Sequence, residues 1–350
     1  MPGTGEGDAA ARKANRATLW LIGLGGLVTL ALGVALVGYA YLNYQYETPL
    51  SDDATVRIFD VPRGAGASRI ADKLEAEGLI GSARTFKLVN RMRPEDGSFK
   101  VGEFALRADM SMAEIADTLI NGRPVEYPFT APEGITSAQV VRALDGVDAL
   151  VDDEPAVPPE GSLLPETYRF QRGTTHSAVL ARMAAAQDAL LDEHWPQRDP
   201  DIPVKTREEA IILASVVEKE TGIGMERGKV AGVFTNRLRR GMRLQSDPTI
   251  IYGISRGEIL RGRDGRQRRI RRSEIDRRTD WNTYQIDGLP KTPICNPGRD
   301  AILAVLNPEE TDALYFVADG SGGHAFSRTL AEHERAVARW RKIQRERGLR

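Results

Sequence analysis

Cysteine is almost missing from this chain: 350 residues contain one, Cys295. That excludes an intrachain disulfide and any metal cluster built on cysteine, and it leaves the redox compartment open. Net charge is equally scarce. Forty-eight basic and 49 acidic side chains leave −1 at pH 7, so no global excess of either sign points to nucleic acid or to an acidic partner. The third absence is local. Residues 17–42, ATLWLIGLGGLVTLALGVALVGYAYL, hold no charged side chain across 26 positions. At about 1.5 Å rise per residue, a helix of that length exceeds a hydrocarbon core of roughly 30 Å. A cleaved signal peptide has a shorter apolar region, so the segment reads as a single membrane-spanning anchor. Arg12, Lys13 and Arg16 precede it, whereas Glu47, Asp52 and Asp53 follow it. The positive-inside rule then keeps the small, polar tail 1–16 in the cytoplasm and puts the bulk of the chain outside. Trp20 and the tyrosines from Tyr39 to Tyr46 suit the two interfacial belts, and residues 43–53 read as a stalk.

Beyond the stalk the chain reads as α+β. TVRIFDVPRGAGASRIADKLEAEGLI gives a strand-like alternation, a Pro/Gly turn and a helix. Ile70 and Leu74 form the stripe of that helix, with Ser68 as cap and Gly78 as stop. MSMAEIADTLINGRP repeats the pattern with Ser111 as cap, Ile115 and Leu119 as stripe, and Gly122 as stop. EGITSAQVVRALDG starts a third copy. Such modules, over 54–151, are too small for a deep catalytic cleft; spacer and carbohydrate binder fit them equally. The proline- and acid-rich stretch 152–165 marks a boundary, and a helical segment at 175–194 leads into a larger domain at 160–345. The C-terminal EHERAVARWRKIQRERGLR reads as a docking helix with Ala336 and Trp340 on its inner face.

TREEAIILASVVEKETG (206–222) carries its own helix punctuation. Thr206 and Glu209 have capping-box spacing, and Gly222 suits the position just past the end. Ile211, Ala214 and Glu218 fall on one stripe, so Glu218 points inward. Glu220 lies about 200° further round and is expected to face water as a surface charge. An acid on an apolar stripe must be paired, protonated or functional, because an isolated buried carboxylate is expensive. Desolvation raises its pKa and keeps a proton available near neutrality, as a general acid on a glycosidic oxygen requires. The bland alternative is a buried salt bridge to Arg227 or Arg237.

A second amphipathic helix follows, with Val230, Val233, Phe234 and Leu238 as its stripe and Gly241 as its stop. After it come Gln245, Ser246, Asp247, Thr249 and Tyr252, polar and crowded between apolar positions. WNTYQIDGLPKTPICNPG and LYFVADGSGGHAFSRTLAEH mix aromatics, Asn, Gly and Pro as groove-lining loops do. Asp247 before Pro248 reads first as a turn carboxylate and second as a hydrolase-like acid. His324 and His333 lack paired ligand spacing, so neither metal nor cofactor is assigned.

In order along the chain, ASVVEKETG, VAGVFTNRL, GMRLQSDPTIIYG, NTY, GLP, PICNPG and LYFVADGSGGHAFS resemble the endolytic murein transglycosylases, the MltG or YceG-like family. EGSLLPETYRF (160–170) resembles that family's entry into its catalytic domain, and 54–151 its LysM-like module. The resemblance implies cleavage of the β-1,4 bond between N-acetylmuramic acid and N-acetylglucosamine in nascent peptidoglycan. No water takes part, because the muramoyl 6-hydroxyl closes a 1,6-anhydro ring. Glu218 falls on the family's catalytic acid/base, carried by a pair of helices. Gln245, Ser246, Asp247, Thr249, Tyr252, Asn282, Tyr284 and Asn296 are matched positions implied to line the cleft. The layout is that of an inner-membrane protein acting on glycan strands near their synthases, with no nucleic acid involved. Two other readings stay open: a catalytically silent murein-binding scaffold, and a lysozyme-like hydrolase using Glu218 and Asp247. Trp281 stands where the family has tyrosine, and Lys291 and Thr292 depart from its GLPPGPI loop. The arginine-rich stretch 255–280 reads as a solvated hairpin insertion, with contact to lipid headgroups or anionic glycan as the second reading.

Overall fold

The computed structural model describes residues 6–93 and 98–348, with side chains from residue 20 onward. The leading charges Arg12, Lys13 and Arg16 therefore lie outside the described side chains. The chain divides into two compact units, Met1–Val125 and Glu126–Arg350, of mixed α and β structure.

The first unit opens with one long helix, α1 (Glu6–Glu47). Its portion Trp20–Glu47 is long and apolar enough to cross a membrane, and its large apolar side chains from Trp20 to Val37 stand exposed. That fits a single N-terminal membrane anchor. After it come β1 (Arg57–Val61), α2 (Ala67–Ala76), α3 (Ala83–Met92), β2 (Gly102–Leu106) and α4 (Met112–Ile120). The strands pair antiparallel from Arg57↔Leu106 to Val61↔Gly102, and the period-two alternation sends Phe59, Val61, Phe104 and Leu106 into one core. Ser111 caps α4 as expected, and Glu114 completes a reciprocal box with it. Ser68 does not cap α2; Gly66 does, with no side-chain bond, and Ser68 sits inside the first turn. The stalk is also corrected. Residues 43–47 are helical, and Tyr46 is 1% exposed, packed 6.2 Å from the Phe86 ring with its hydroxyl on Asn90 at 3.2 Å. Tyr46 belongs to a protein core, not to an interfacial belt.

The second unit contains β3 (Tyr127–Thr130), α5 (Ser137–Leu144), β4 (Leu150–Val151), β5 (Thr167–Phe170), β6 (Thr174–Thr175) and α6 (His176–His194). Then come α7 (Arg207–Glu220), α8 (Gly224–Arg239), α9 (Asp247–Ser255), α10 (Arg272–Ile275), α11 (Arg299–Leu306), β7 (Tyr315–Ala318), β8 (His324–Ser327) and α12 (Leu330–Glu346). β3 pairs antiparallel with β5, and β4 pairs parallel with β6. Both pairings reach across the proline-rich stretch, so residues 126–151 fold with the second unit, and the expected division at 152–165 moves upstream. β7 and β8 form a hairpin that α12 packs against through the buried Ala336.

At the centre lies α7. Thr206 accepts from the Glu209 N–H at its start, as expected. Its far end differs: Thr221 caps it in an extended conformation, and Gly222 does not take the left-handed one. Ala210, Ile211, Leu213, Ala214, Ser215, Val216 and Val217 are all buried, against α8, α9 and α11. A helix enclosed on nearly every side has no water-facing stripe along this stretch.

Candidate active site

Two carboxylates emerge at the C-terminal end of α7, on different sides. The Glu218 side chain is 6% exposed. Its Oε2 accepts the Gly298 N–H at 3.0 Å, and its Oε1 lies 3.6 Å from Arg227 Nη2. Gly298 caps the N-terminus of α11, where the helix dipole favours an anion. Arg227 serves two more acids, Asp300 at 3.3 Å and Glu133 at 3.5 Å. Burial pushes the Glu218 pKa up, while the Gly298 N–H, Arg227 and Lys219 pull against it. The buried salt bridge to Arg227 is thus present.

Glu220 does not face water. The residue keeps some solvent contact, but protein closely surrounds its carboxylate and pushes its pKa up to about 7, chiefly through desolvation. The neighbouring Asp247 charge pushes the same way, whereas the Ser246 hydroxyl, His324 and Arg237 favour the anion. Ser246 Oγ donates to Glu220 Oε1 at 2.5 Å. Ser246 is the N-cap of α9, yet its side chain does not cap that helix. Forgoing such a cap costs about 1 kcal/mol. Gln245, just before it, holds φ = +54°, a left-handed conformation uncommon for a side chain of this kind. The turn is thus held in a conformation that directs the hydroxyl of Ser246 at Glu220. Arg237 offers Glu220 no ion pair, because its guanidinium is spent on the carbonyls of Arg243, Leu244 and Leu314 and on Gln245 Oε1. His324 is held by Glu226 at 2.7 Å.

The other sequence candidates divide. Asp247, the first residue of α9, accepts from the Tyr284 hydroxyl at 2.8 Å, so Ser246, Asp247 and Tyr284 gather at Glu220, while the Gln245 side chain meets Arg237. Tyr252 is apart from them. Its hydroxyl donates to Glu160 Oε2 at 3.1 Å and its ring meets Trp281 edge-on at 5.7 Å, with the Arg256 guanidinium 3.9 Å from the Trp281 centroid. Thr249, Asn282 and Asn296 are buried and spent on structure. Thr249 Oγ1 bonds the Ser246 carbonyl and Thr283. Asn282 ties the Ile275 and Arg277 carbonyls at 2.9 and 2.6 Å. Asn296 accepts the Leu163 N–H and donates to the Ile135 carbonyl. Their chemistry suits sugar hydroxyls, but their burial leaves no face for one. Glu133, Glu160 and Glu226 were not singled out by sequence, since nothing in their local pattern separates them from surface acids.

A groove of about 630 Å³ runs from Lys219 and Asp247 past Tyr252 to Arg268 and Ile270. One wall is the arginine-rich stretch, which is more than a solvated hairpin. Its only ladder contact among the described residues is Arg261↔Gln267, and Arg268 clasps Glu274 through both guanidinium ends at 2.8 and 2.6 Å. The arrangement is one enclosed, protonatable carboxyl beside a fixed hydroxyl and a second carboxylate, Asp247, which itself lines the groove. It can donate a proton to a bound polar substrate and take one back.

The class of protein follows from the family that the chain matches. A model of the YceG-like family matches residues 59–339, and the chain belongs to that family. It is 27% identical over 338 residues to an endolytic murein transglycosylase of Bacillus subtilis, covering 87% of this chain and 91% of that protein. It is 28% identical to an endolytic murein transglycosylase of Streptococcus pneumoniae, covering 89% of this chain and 64% of that longer protein. A solved YceG-like protein of Listeria monocytogenes aligns with 26% identity and a TM-score of 0.46, over 80% of this chain and 99% of that one.

Proposed function

We propose that this chain is an endolytic murein transglycosylase, anchored by α1, that cleaves the MurNAc-β-1,4-GlcNAc bond with formation of a 1,6-anhydro end. The observation that carries the reading is the enclosed Glu220 carboxyl with its pKa near neutrality. Protonated, it gives its proton to the glycosidic oxygen of the leaving sugar. As carboxylate, it then takes the proton of the muramoyl 6-hydroxyl, which attacks its own anomeric carbon. An intramolecular nucleophile needs no positioned water and no second catalytic carboxylate. Ser246 orients the acid, and Asp247 with Tyr284 keeps its proton on until substrate arrives.

Glu218 was the acid expected from the resemblance. We read it as structural, because a guanidinium and a helix N-terminus already occupy both of its oxygens. Gln245, Asp247, Tyr252 and Tyr284 remain the substrate-facing set, while Ser246, as buried as Thr249, Asn282 and Asn296, acts through Glu220 and the other three hold their loops. The strand–helix–helix–strand unit from β1 to β2 is read as the LysM-like module. The tail 1–16 is taken as cytoplasmic and the second unit as extracytoplasmic, beside the synthases that supply nascent strands.

Digestion of purified sacculi, with products resolved by mass, tests all of this. Wild type should release anhydro ends and Glu220→Gln none, while folded Glu218→Gln keeps measurable activity. An active Glu220→Gln protein refutes the assignment, and a silent but folded Glu218→Gln returns the role to Glu218. Reducing ends would indicate the hydrolase that uses Asp247, and no cleavage by wild type would indicate the scaffold.

A further inference from the structure

Outside the active site, His176 is a buried imidazole with one ring nitrogen unsatisfied. It opens α6, is 2% exposed, and its Nδ1 has no partner. An unmet buried polar atom costs about 1–3 kcal/mol, so such a group calls for a reason. Nδ1 points at two carboxylates from separate parts of the second unit. Asp152 Oδ1, just past β4, is 3.3 Å away without hydrogen-bond alignment, and Asp145 Oδ1, the C-cap of α5, is 3.8 Å away. The three ligand atoms lie within 4.8 Å of one another.

We propose that Asp145, Asp152 and His176 form a structural site for a borderline divalent cation of the zinc type, completed by water. Three observations support it. Metal–ligand distances of about 2.0–2.2 Å in tetrahedral geometry put ligand atoms roughly 3.3–3.6 Å apart, a separation that Asp152 meets at 3.3 Å and Asp145 would reach by a small inward shift from 3.8 Å. One nitrogen with two carboxylate oxygens suits zinc better than calcium, which takes six to eight oxygens. The surroundings also hold the ligands in place. The Glu154 N–H donates to Asp152 Oδ1 at 2.8 Å, from a residue at φ = +51°, and fixes that carboxylate. Asp153 takes the free N–H of Ser177 at 3.0 Å, so the donors of the α6 N-terminus do not compete for the ligands. The outer faces of Asp145 and Asp152 are 57% and 58% exposed, which gives the ion a way in and leaves room for water. The ion would tie the end of α5, the segment after β4 and the start of α6 together. Without it, the site reduces to a buried imidazole facing two carboxylates.

The test uses the full chain in detergent, stripped with EDTA and then returned to zinc, calcium or buffer alone. Zinc should remain at about one ion per chain by elemental analysis. At a hundredfold excess over Kd the melting temperature should rise by roughly 5–10 °C. His176→Gln and the milder Asp145→Asn/Asp152→Asn pair should each lose both the ion and the rise. Equal melting with and without zinc, zinc retained undiminished by the carboxamide pair, or a rise with calcium alone would each overturn the site.

Discussion

The acid assignment can be tested through the pH dependence of kcat/KM. If Glu220 must be protonated to act, cleavage should be constant at low pH and fall as pH rises through about 7. Two neighbours bias that limb in opposite directions. The Ser246 hydroxyl stabilises the anion, and a hydrogen bond to a charged group is worth about 1.5–3 kcal/mol. Ser246→Ala should therefore raise the limb, by roughly one pH unit once water takes part of its place, at about 1.4 kcal/mol per unit. Asp247 acts as a like charge, so Asp247→Asn should lower the limb by a comparable amount. The assay is initial release of anhydro-muropeptides across pH 5–9 for the three proteins, quantified by mass. Two shifts of opposite sign are expected, and no limb on the acid side, because the second proton transfer uses the carboxylate that the first one creates. If both limbs stay put while Arg227→Met moves the profile, the acid is Glu218 and the reasoning fails. An acid-side limb abolished by Asp247→Asn would instead identify Asp247 as a hydrolase base.

Other consequences are thermodynamic. Glu220 carries a raised pKa, so the folded state holds more protons than the unfolded one between pH 4.5 and about 7, and stability falls with rising pH over that window. Glu220→Gln should remove that penalty, stabilising the protein by up to about 3 kcal/mol at pH 8 and not at pH 4, as read by denaturant melts. Arg227→Met should cost about 3–5 kcal/mol, because it leaves the buried Glu218 carboxylate without its cation; a loss below 1 kcal/mol in the same melts would contradict the pairing described. Gly161 holds φ = +78°, and a Cβ there would come 2.6 Å from Pro293 and 2.8 Å from Ile211. Gly161→Ala should thus lower stability by roughly 2–4 kcal/mol, and unchanged melting would mean that the loop yields more easily than its packing implies.

Much of the architecture was legible where local rules act alone. Ser111 and Thr206 cap their helices through side-chain oxygens, and Ile70, Leu74, Ile115 and Leu119 are buried on their stripes. The readings that moved depended on tertiary context. A helical wheel sorts Glu218 from Glu220 only if one side of the helix meets solvent, and α7 is surrounded. The near-unbroken apolar run from Ala210 to Val217 was the available sign of that. Asn282 and Asn296 carry the same amide whether they bind a sugar or pin a loop, and the difference lies in carbonyls brought close by folding. The limit of the second unit depended on strand partners more than thirty residues apart, such as Tyr127 and Phe170, which no composition shift announces.

Tyr46 has one more implication. Its ring lies in the core of the first unit, yet it sits one residue before the end of α1, the same continuous helix that carries the apolar span. A tether joined through a flexible leash would let its cargo roam; this one is welded to it. The βααβ unit is therefore carried at a set distance from the apolar span and at a fixed rotation about its axis.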